Sequence, residues 1–417
     1  MSILPVLANL EYYCSHFCGL APFARANLAG TNLVPLGQAM LERAAQDGNN
    51  AILFMNLSLI LQSFNQHDTG VSMQAEALTL QRVYTLAADI QPANFRLLVL
   101  CVEGDIAENT PIDCLLESMD IELIYYYVSN RSDTLFSSPI PEHDAVMVAI
   151  CESDTNLLTI QALTPLLKEW NKPVINQPEH IVNTGRKVAS LLLQGTEGLL
   201  MPATFRASRA QLFTIIQDNT SPECLFKHTP FPIILRPLGS HAGHDLEQIN
   251  TILELADYLN RVDAEVFFIS RFIDYRSDDG LFRKFRVMLI DGSPFIAHMA
   301  VSSHWMIHYV NAGMYEDEQK RSEEALIMTH FDNFIAQHRL ALNAIYQRTR
   351  LDYLGIDCAQ TSDGKLLVFE IDHVMVVHDM DPEALFPYKH QIIMKIKNAF
   401  RDMLIRMSKN NTKEKII

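Results

Sequence analysis

The chain has 417 residues, 48% of them apolar. That is the composition of a globular protein and more length than one simple core takes, so two or three domains are expected. With 33 basic and 49 acidic residues the net charge is −16, and no basic stripe compensates it, which disfavours nucleic acid and anionic membranes as partners. Seven cysteines (Cys14, Cys18, Cys101, Cys114, Cys151, Cys224, Cys358) are scattered without a repeated spacing, so no disulfide framework is expected. The opening MSILPVLANLEYYC has no basic segment ahead of its apolar residues and carries Glu11, which speaks against a signal peptide. No apolar run reaches the roughly eighteen residues of a membrane span. A reducing cytoplasm is the expected compartment.

Residues 1–90 read as helical. Leu36–Ala45, Ala51–Phe64 and Met73–Ala88 place apolar residues at helical spacing, with Asp47-Gly48-Asn49 and Asp68-Thr69-Gly70 as breakers between them. The last two segments resemble a single tetratricopeptide-like hairpin. One hairpin is not an array, so the segment reads as an accessory module packed on the rest of the chain or on a second copy. From 91 to 182 the period changes. Phe95–Val102, Ile121–Val128 and Asp144–Ile150 are short apolar runs, Leu157–Trp170 is a helix, and Pro173–Asn176 is a further strand. This alternation predicts a Rossmann-like parallel α/β unit. The segment CVEGD after its first strand is no GxGxxG fingerprint, so no dinucleotide site is inferred.

Residues 183–417 carry the chemistry. Helices are expected at Arg186–Gln194, Asp245–Arg261 and Ser322–Thr349, and strands at Phe231–Leu235, Glu265–Phe272 and Phe285–Ile290, the last followed by an Asp291-Gly292 hairpin turn. In FPIILRPLGSHAGHDLEQI a strand ends at Arg236 and runs into a loop of small residues (Gly239, Ser240, Ala242, Gly243). Such a loop lets backbone N–H groups approach phosphate oxygens; a plain tight turn reads equally well. Lys187 in NTGRKVASLLL is either a solvated helix residue or a phosphate contact. Arg283, Lys284 and Arg286 cluster ahead of His298, His304 and His308, as an acceptor pocket or as an ordinary basic hairpin face. His304 and His308 have the spacing of a helical zinc pair, but no HExxH accompanies them.

Near the C-terminus, LDYLGIDCAQTSDGKLLVFEIDHVMVVHD forms two strand-like runs about Asp363-Gly364. A two-residue loop there sets Asp357 directly opposite Glu370, with Asp372 on the same face as Glu370. Like charges so placed repel, and the apolar residues around them predict partial burial. Hard oxygen donors on a hairpin suit magnesium; the alternative is a solvated acidic hairpin end.

The order of these parts (strand, basic residue, glycine loop, linker strand, then acid and acid-x-acid on terminal strands) resembles the ATP-grasp superfamily over about residues 170–400, with FEIDHVM similar to its metal-binding strand. The resemblance implies an α/β (α+β) ATP-grasp fold over 183–417, with residues 91–182 as a preceding Rossmann-like pre-grasp domain. It implies that Lys187 and Arg236 contact phosphate. Gly239, Ser240, His241 and Gly243 would belong to the phosphate-covering loop. Phe268, Ile269, Ser270, Arg271, Phe272 and Ile273 would form the adenine-binding linker. Asp357, Glu370 and Asp372 would hold magnesium, and Arg286 would meet the acyl phosphate with Lys284 and Arg283 beside it. Arg236, Arg271 and Asp372 depart from the usual lysine, acidic residue and asparagine.

The expected activity is an ATP- and Mg2+-dependent ligase that joins a small-molecule or peptide carboxylate to an amine acceptor through an acyl phosphate, with His298, His304 and His308 on the acceptor side. Two alternatives remain open: a catalytically weak grasp-fold nucleotide-binding protein that recruits a partner, or forms a homodimer, through its helical N-terminus, and an ATP-dependent kinase.

Overall fold

In the computed structural model, residues 10–129, 135–240 and 243–414 are described. Five helices open the described chain: α1 (Leu10–Ser15), α2 (Ala21–Leu28), α3 (Val34–Gln46), α4 (Ala51–Ser63) and α5 (His67–Leu80). The sequence of α4, AILFMNLSLILQS, is apolar nearly all round, so this helix is enclosed by protein. Its one buried asparagine ties down the preceding turn. Asn56 donates to the carbonyls of Tyr13 (2.9 Å) and His16 (2.8 Å) and accepts from the Cys18 N–H (3.0 Å).

Two expectations fail here. Asp68-Thr69-Gly70 does not break the chain but lies in the first turns of α5. Gly70 is where α5 meets α4: a Cβ there would stand 2.4 Å from Gln62 Cγ and 3.0 Å from the Ser58 carbonyl oxygen. The glycine serves close helix approach, a demand the sequence does not distinguish from a turn. The expected helix Met73–Ala88 also stops early, at Leu80. Val83–Leu86 is a strand, β1, as its Val-Tyr-Thr content suits.

The first sheet continues with β2 (Phe95–Cys101), α6 (Ile112–Leu116), β3 (Ile121–Tyr127), β4 (Ala145–Val148), α7 (Leu157–Lys168) and β5 (Val174–Ile175). Its order is β1-β3-β2-β4-β5, parallel except for the antiparallel edge β1. Apolar residues of α1–α5 share one buried cluster with β2, β3, β4 and residues Phe400, Met403 and Leu404 near the C-terminus. The N-terminal helices are therefore built into the body of the protein.

A four-stranded antiparallel sheet follows. After α8 (Pro178–Ile181), α9 (Arg186–Leu192) and β6 (Leu199–Leu200) come β7 (Thr204–Ser208), α10 (Arg209–Gln217), β8 (Ile233–Pro237), β9 (Glu247–Ile249), α11 (Ile252–Arg261) and β10 (Val266–Arg271). The order is β7-β10-β8-β9. The expected helix from Asp245 begins only at Ile252, because Glu247–Ile249 pairs with β8 and Thr251 then caps α11 by accepting from the Glu254 N–H at 3.2 Å.

The last sheet, β12-β11-β13-β14-β6, is built from β11 (Phe282–Ile290), β12 (Ser293–Ser302), β13 (Tyr353–Gln360) and β14 (Leu366–Asp372), with β6 as its one parallel member. The turn at Asp291-Gly292 has positive φ at both residues (47° and 77°), as a primed hairpin turn requires. The single helix expected over Ser322–Thr349 is two, α12 (Glu318–Thr329) and α13 (Phe331–Thr349), broken at His330. Helix α14 (Lys389–Glu414) is the last described element. The architecture is mixed α/β, and among the described residues no helix is long and apolar enough to cross a membrane.

The α4–α5 contact yields a test. Gly70→Ala forces a methyl into Gln62 and is expected to lower unfolding stability by about 1–3 kcal/mol, as overpacked helix contacts do. Denaturant unfolding of both proteins measures it, and an unchanged midpoint would show that the helices part freely at this point.

Candidate functional site

The site grows out of the hairpin β13–β14. Its turn is not the two-residue loop expected. Thr361 N–H donates to the Lys365 carbonyl (3.0 Å) and Gly364 N–H to the Thr361 carbonyl (2.9 Å), which leaves residues 362–364 as the loop, with Gly364 at φ 82°. Taken alone this shifts the pairing by one residue. A bulge between Asp357 and Cys358 shifts it back, so Asp357 stands opposite Glu370 and Gly355 opposite Asp372.

Asp357 is 1% exposed. The neighbouring strand β11 sets Arg286 beside it. Arg286 Nε donates to Oδ1 (2.8 Å) and Nη2 to Oδ2 (3.0 Å), while Lys284 Nζ lies 2.7 Å from Oδ2. Burial would raise the Asp357 pKa, but Arg286 and Lys284 hold it well below the usual carboxylate range. Arg286 Nη1 also reaches the Val376 carbonyl (3.2 Å) in the strap that follows β14. Glu370 pairs with Arg186 at the start of α9. Its pKa is lowered despite burial, chiefly by Arg186. Among the described residues Asp372 pairs with no Lys or Arg. Burial and the Glu370 charge push its carboxyl up to about 7.

The basic residues divide. Side chains alternate along β11, so Lys284 and Arg286 face the carboxylates while Arg283 faces away. Arg283 is held by Asp279 (2.6 Å) and by Glu323, and its expected place beside Arg286 at the reacting centre is corrected to a structural ion pair. On α9 the inward residue is Arg186, not Lys187. Arg186 shares its face with buried Ala189 and Ser190, whereas Lys187 is exposed, as is Leu191 four residues on. Sequence reasoning missed Arg186, although the small residues at Ala189 and Ser190 mark the packed face.

Arg236 is 9% exposed. Its Nε donates to Ser240 Oγ (3.1 Å) and its Nη2 to the Ser240 carbonyl. Burial and the nearby Arg186 charge bring its pKa down to about 10. Gly239 and Gly243 both take positive φ (77° and 73°). A Cβ on Gly243 would lie 2.5 Å from His308 Nε2, so the end of the glycine loop closes against that ring. His241 lies outside the described residues.

Phe268 pairs in register with Arg236, and Phe272 meets Trp305 edge to face at 5.7 Å. Ser270 and Ile273 are half-buried. The Ile269 side chain is packed in the core of the four-stranded sheet, and Arg271 is exposed. Of the histidines, His298 lies opposite Arg286 on β12, its ring 4.8 Å from that of Tyr309. Burial and the Arg286 charge keep it neutral, well below its ordinary pKa. The His308 pKa is lowered by burial and by Lys284, and its buried Nε2 has no hydrogen-bond partner among the described residues. His304 is exposed beside Ser303 and stands apart.

Three carboxylates on adjacent strands have the donor chemistry of a magnesium site. In this conformation, however, two of them answer to protein cations. Among the described residues no group of three or more His, Cys, Asp and Glu side chains is arranged to hold a metal ion.

The pKa of Asp372 gives a pH test. A carboxyl at about 7 in the fold, against about 4 unfolded, favours folding while protonated. That contribution is full below about pH 4 and is lost as pH rises through 7. Asp372→Asn keeps the shape without the charge, so it should raise the melting temperature more at pH 8 than at pH 5. An equal gain at both pH values would show an ordinary carboxyl at 372.

No protein-family model matches the chain, and no curated protein matches it. Among solved structures it is similar to a D-alanine–D-alanine ligase from Bacillus anthracis complexed with ATP, at 15% identity and a TM-score of 0.45, covering 77% of this chain and 99% of that one. It is similar to a RimK domain ATP-grasp protein from Sphaerobacter thermophilus at 13% identity and a TM-score of 0.42, covering 74% and 99%. It is also similar to the VanG D-Ala:D-Ser ligase of Enterococcus faecalis at 11% identity and a TM-score of 0.45, covering 76% and 99%.

Proposed function

We propose that the chain is an ATP-dependent carboxylate–amine ligase of the ATP-grasp type. One observation carries this reading. Four cations from three separate segments (Arg186; Arg236; Lys284 and Arg286) converge on a strand pair bearing Asp357, Glu370 and Asp372. Such a set offers phosphate oxygens fixed positive charge and offers a divalent cation hard oxygen donors.

In this reading Arg236 and Arg186 bind the nucleotide phosphates, and the glycine loop from Gly239 covers them. The donors for magnesium are Glu370 and Asp372, with Asp357 behind them. Bound magnesium would supply charge neutralisation at the transferring phosphate. The substrate carboxylate oxygen attacks the γ-phosphorus and ADP leaves. The amine nitrogen then attacks the acyl carbon, the C–O bond to phosphate breaks, inorganic phosphate departs, and the amine loses a proton. Lys284 and Arg286, held in place by Asp357, keep positive charge where the acyl phosphate and the tetrahedral oxyanion develop. Neutral His298 and His308 border the same space; burial and Arg286 make His298 a poor proton acceptor, so the unpartnered Nε2 of His308 is the group assigned to take the proton the amine gives up.

The test is a screen of carboxylate and amine pairs coupled to ADP release, with mass spectrometry of the product. A product heavier by the amine less water supports ligation, and a phosphorylated carboxylate would make the protein a kinase instead. With a productive pair in hand, Glu370→Gln is expected to cut magnesium-dependent turnover by a factor on the order of 10² or more while the protein stays folded. Near-normal turnover in that variant would remove Glu370 from the site.

A further inference from the structure

Glu370 is claimed twice: by Arg186 in the structure and, under the proposed function, by a metal ion. The surrounding charges say how the two claims are reconciled. Burial and the Arg186 charge lower the pKa of Arg236, while among the described residues the carboxylate that pairs directly with Arg186 is Glu370. Arg236, though 9% exposed, finds only the hydroxyl and carbonyl of Ser240 among its hydrogen-bond partners in the described residues. This half of the cluster lacks negative charge. Two residues beyond Glu370 the opposite holds: Asp372 repels Glu370 and makes no ion pair with Lys or Arg among the described residues. An anion placed between the arginines relieves the first strain. It also draws Arg186 from Glu370, which leaves two adjacent carboxylates in need of a cation.

We propose that Arg186 couples nucleotide binding to metal binding by exchanging partners. In the free protein it neutralises Glu370 and keeps divalent cations out. When a triphosphate binds, Arg186 turns to the phosphates beside Arg236, and Glu370 with Asp372 becomes the metal site. The inference rests on the ATP-grasp reading and assigns the binding role on α9 to Arg186. By linkage, each ligand then strengthens the binding of the other.

The probe is Mn2+ alone, followed by the loss of its free-ion paramagnetic resonance signal on titration with the full chain. Wild type should bind Mn2+ weakly. Arg186→Met, which keeps the stem and removes the charge, should bind it on the order of tenfold or more tightly, as expected when a contacting positive charge is withdrawn. Adding Glu370→Gln to that variant should abolish the gain. In parallel, calorimetry with β,γ-imido-ATP in the presence of EDTA should show Arg186→Met binding the metal-free nucleotide on the order of tenfold more weakly than wild type. Equal Mn2+ affinity in wild type and Arg186→Met overturns the exchange, as does a gain that survives Glu370→Gln. If Arg186→Met does not fold, Arg186→Lys, with a shorter reach and no planar fork, should shift both affinities in the same directions; no shift in that variant overturns the proposal too. If wild type fails to bind β,γ-imido-ATP even with magnesium, the ATP-grasp reading itself falls.

Discussion

A carboxylate withdrawn from water is tolerated only when its charge is met, and Asp357 is the carboxylate on which this structure turns. Lys284 and Arg286 meet it from the next strand, so three charges on two strands fix one another. The consequence for function is geometric. Arg286 has two side-chain contacts to Asp357 and one to the Val376 carbonyl, which leaves its guanidinium little freedom. A cation held this way is ready to meet developing charge without rearranging. It also means that Asp357 is committed to the protein's own cations.

The strap between β14 and α14 extends this constraint into the rest of the molecule. Arg286 holds it at Val376, Arg25 of α2 reaches the Asp379 carbonyl (3.0 Å), and Lys389 at the head of α14 pairs with Asp381 (2.7 Å). Lys389 is 4% exposed and stands 3.9 Å above the Tyr309 ring, the same ring that lies against His298. Glu324, fully buried, accepts from Tyr309 (2.8 Å) and Tyr388 (2.7 Å) and completes the cage. The N-terminal helices, the last helix and the central sheet thus meet on one short segment beside the carboxylates. This gives the N-terminal helices a structural reason to share their core with the first sheet.

How much of this was legible in the sequence differs from element to element. The turn residues Asp291-Gly292 and the acid-x-acid strand carry their own chemistry and were readable. The Asp357–Glu370 register was also read correctly, but from a two-residue loop that does not exist: a three-residue loop and a compensating bulge reach the same pairing. Alternation along β11 already separates Arg283 from Lys284 and Arg286, yet grouping by proximity hid it. Gly70 and the early end of α5 failed for a different reason. Helix contact and strand pairing are tertiary demands, and Gly70 and Val83–Leu86 answer to partners that local propensity does not see.

The Arg186–Lys187 pair shows where such reading reaches its limit. Two adjacent basic residues open a helix, and composition does not distinguish them. Their roles are separated by about 100° of helical phase, which only the packed face resolves. Ala189 and Ser190 set that face, and Ser190 Oγ accepts from the Thr204 N–H (3.1 Å), fastening α9 to β7. With α9 so fixed, Arg186 falls on Glu370 and Lys187 on solvent. The partner of Glu370 is therefore placed by two of the least conspicuous residues in the segment.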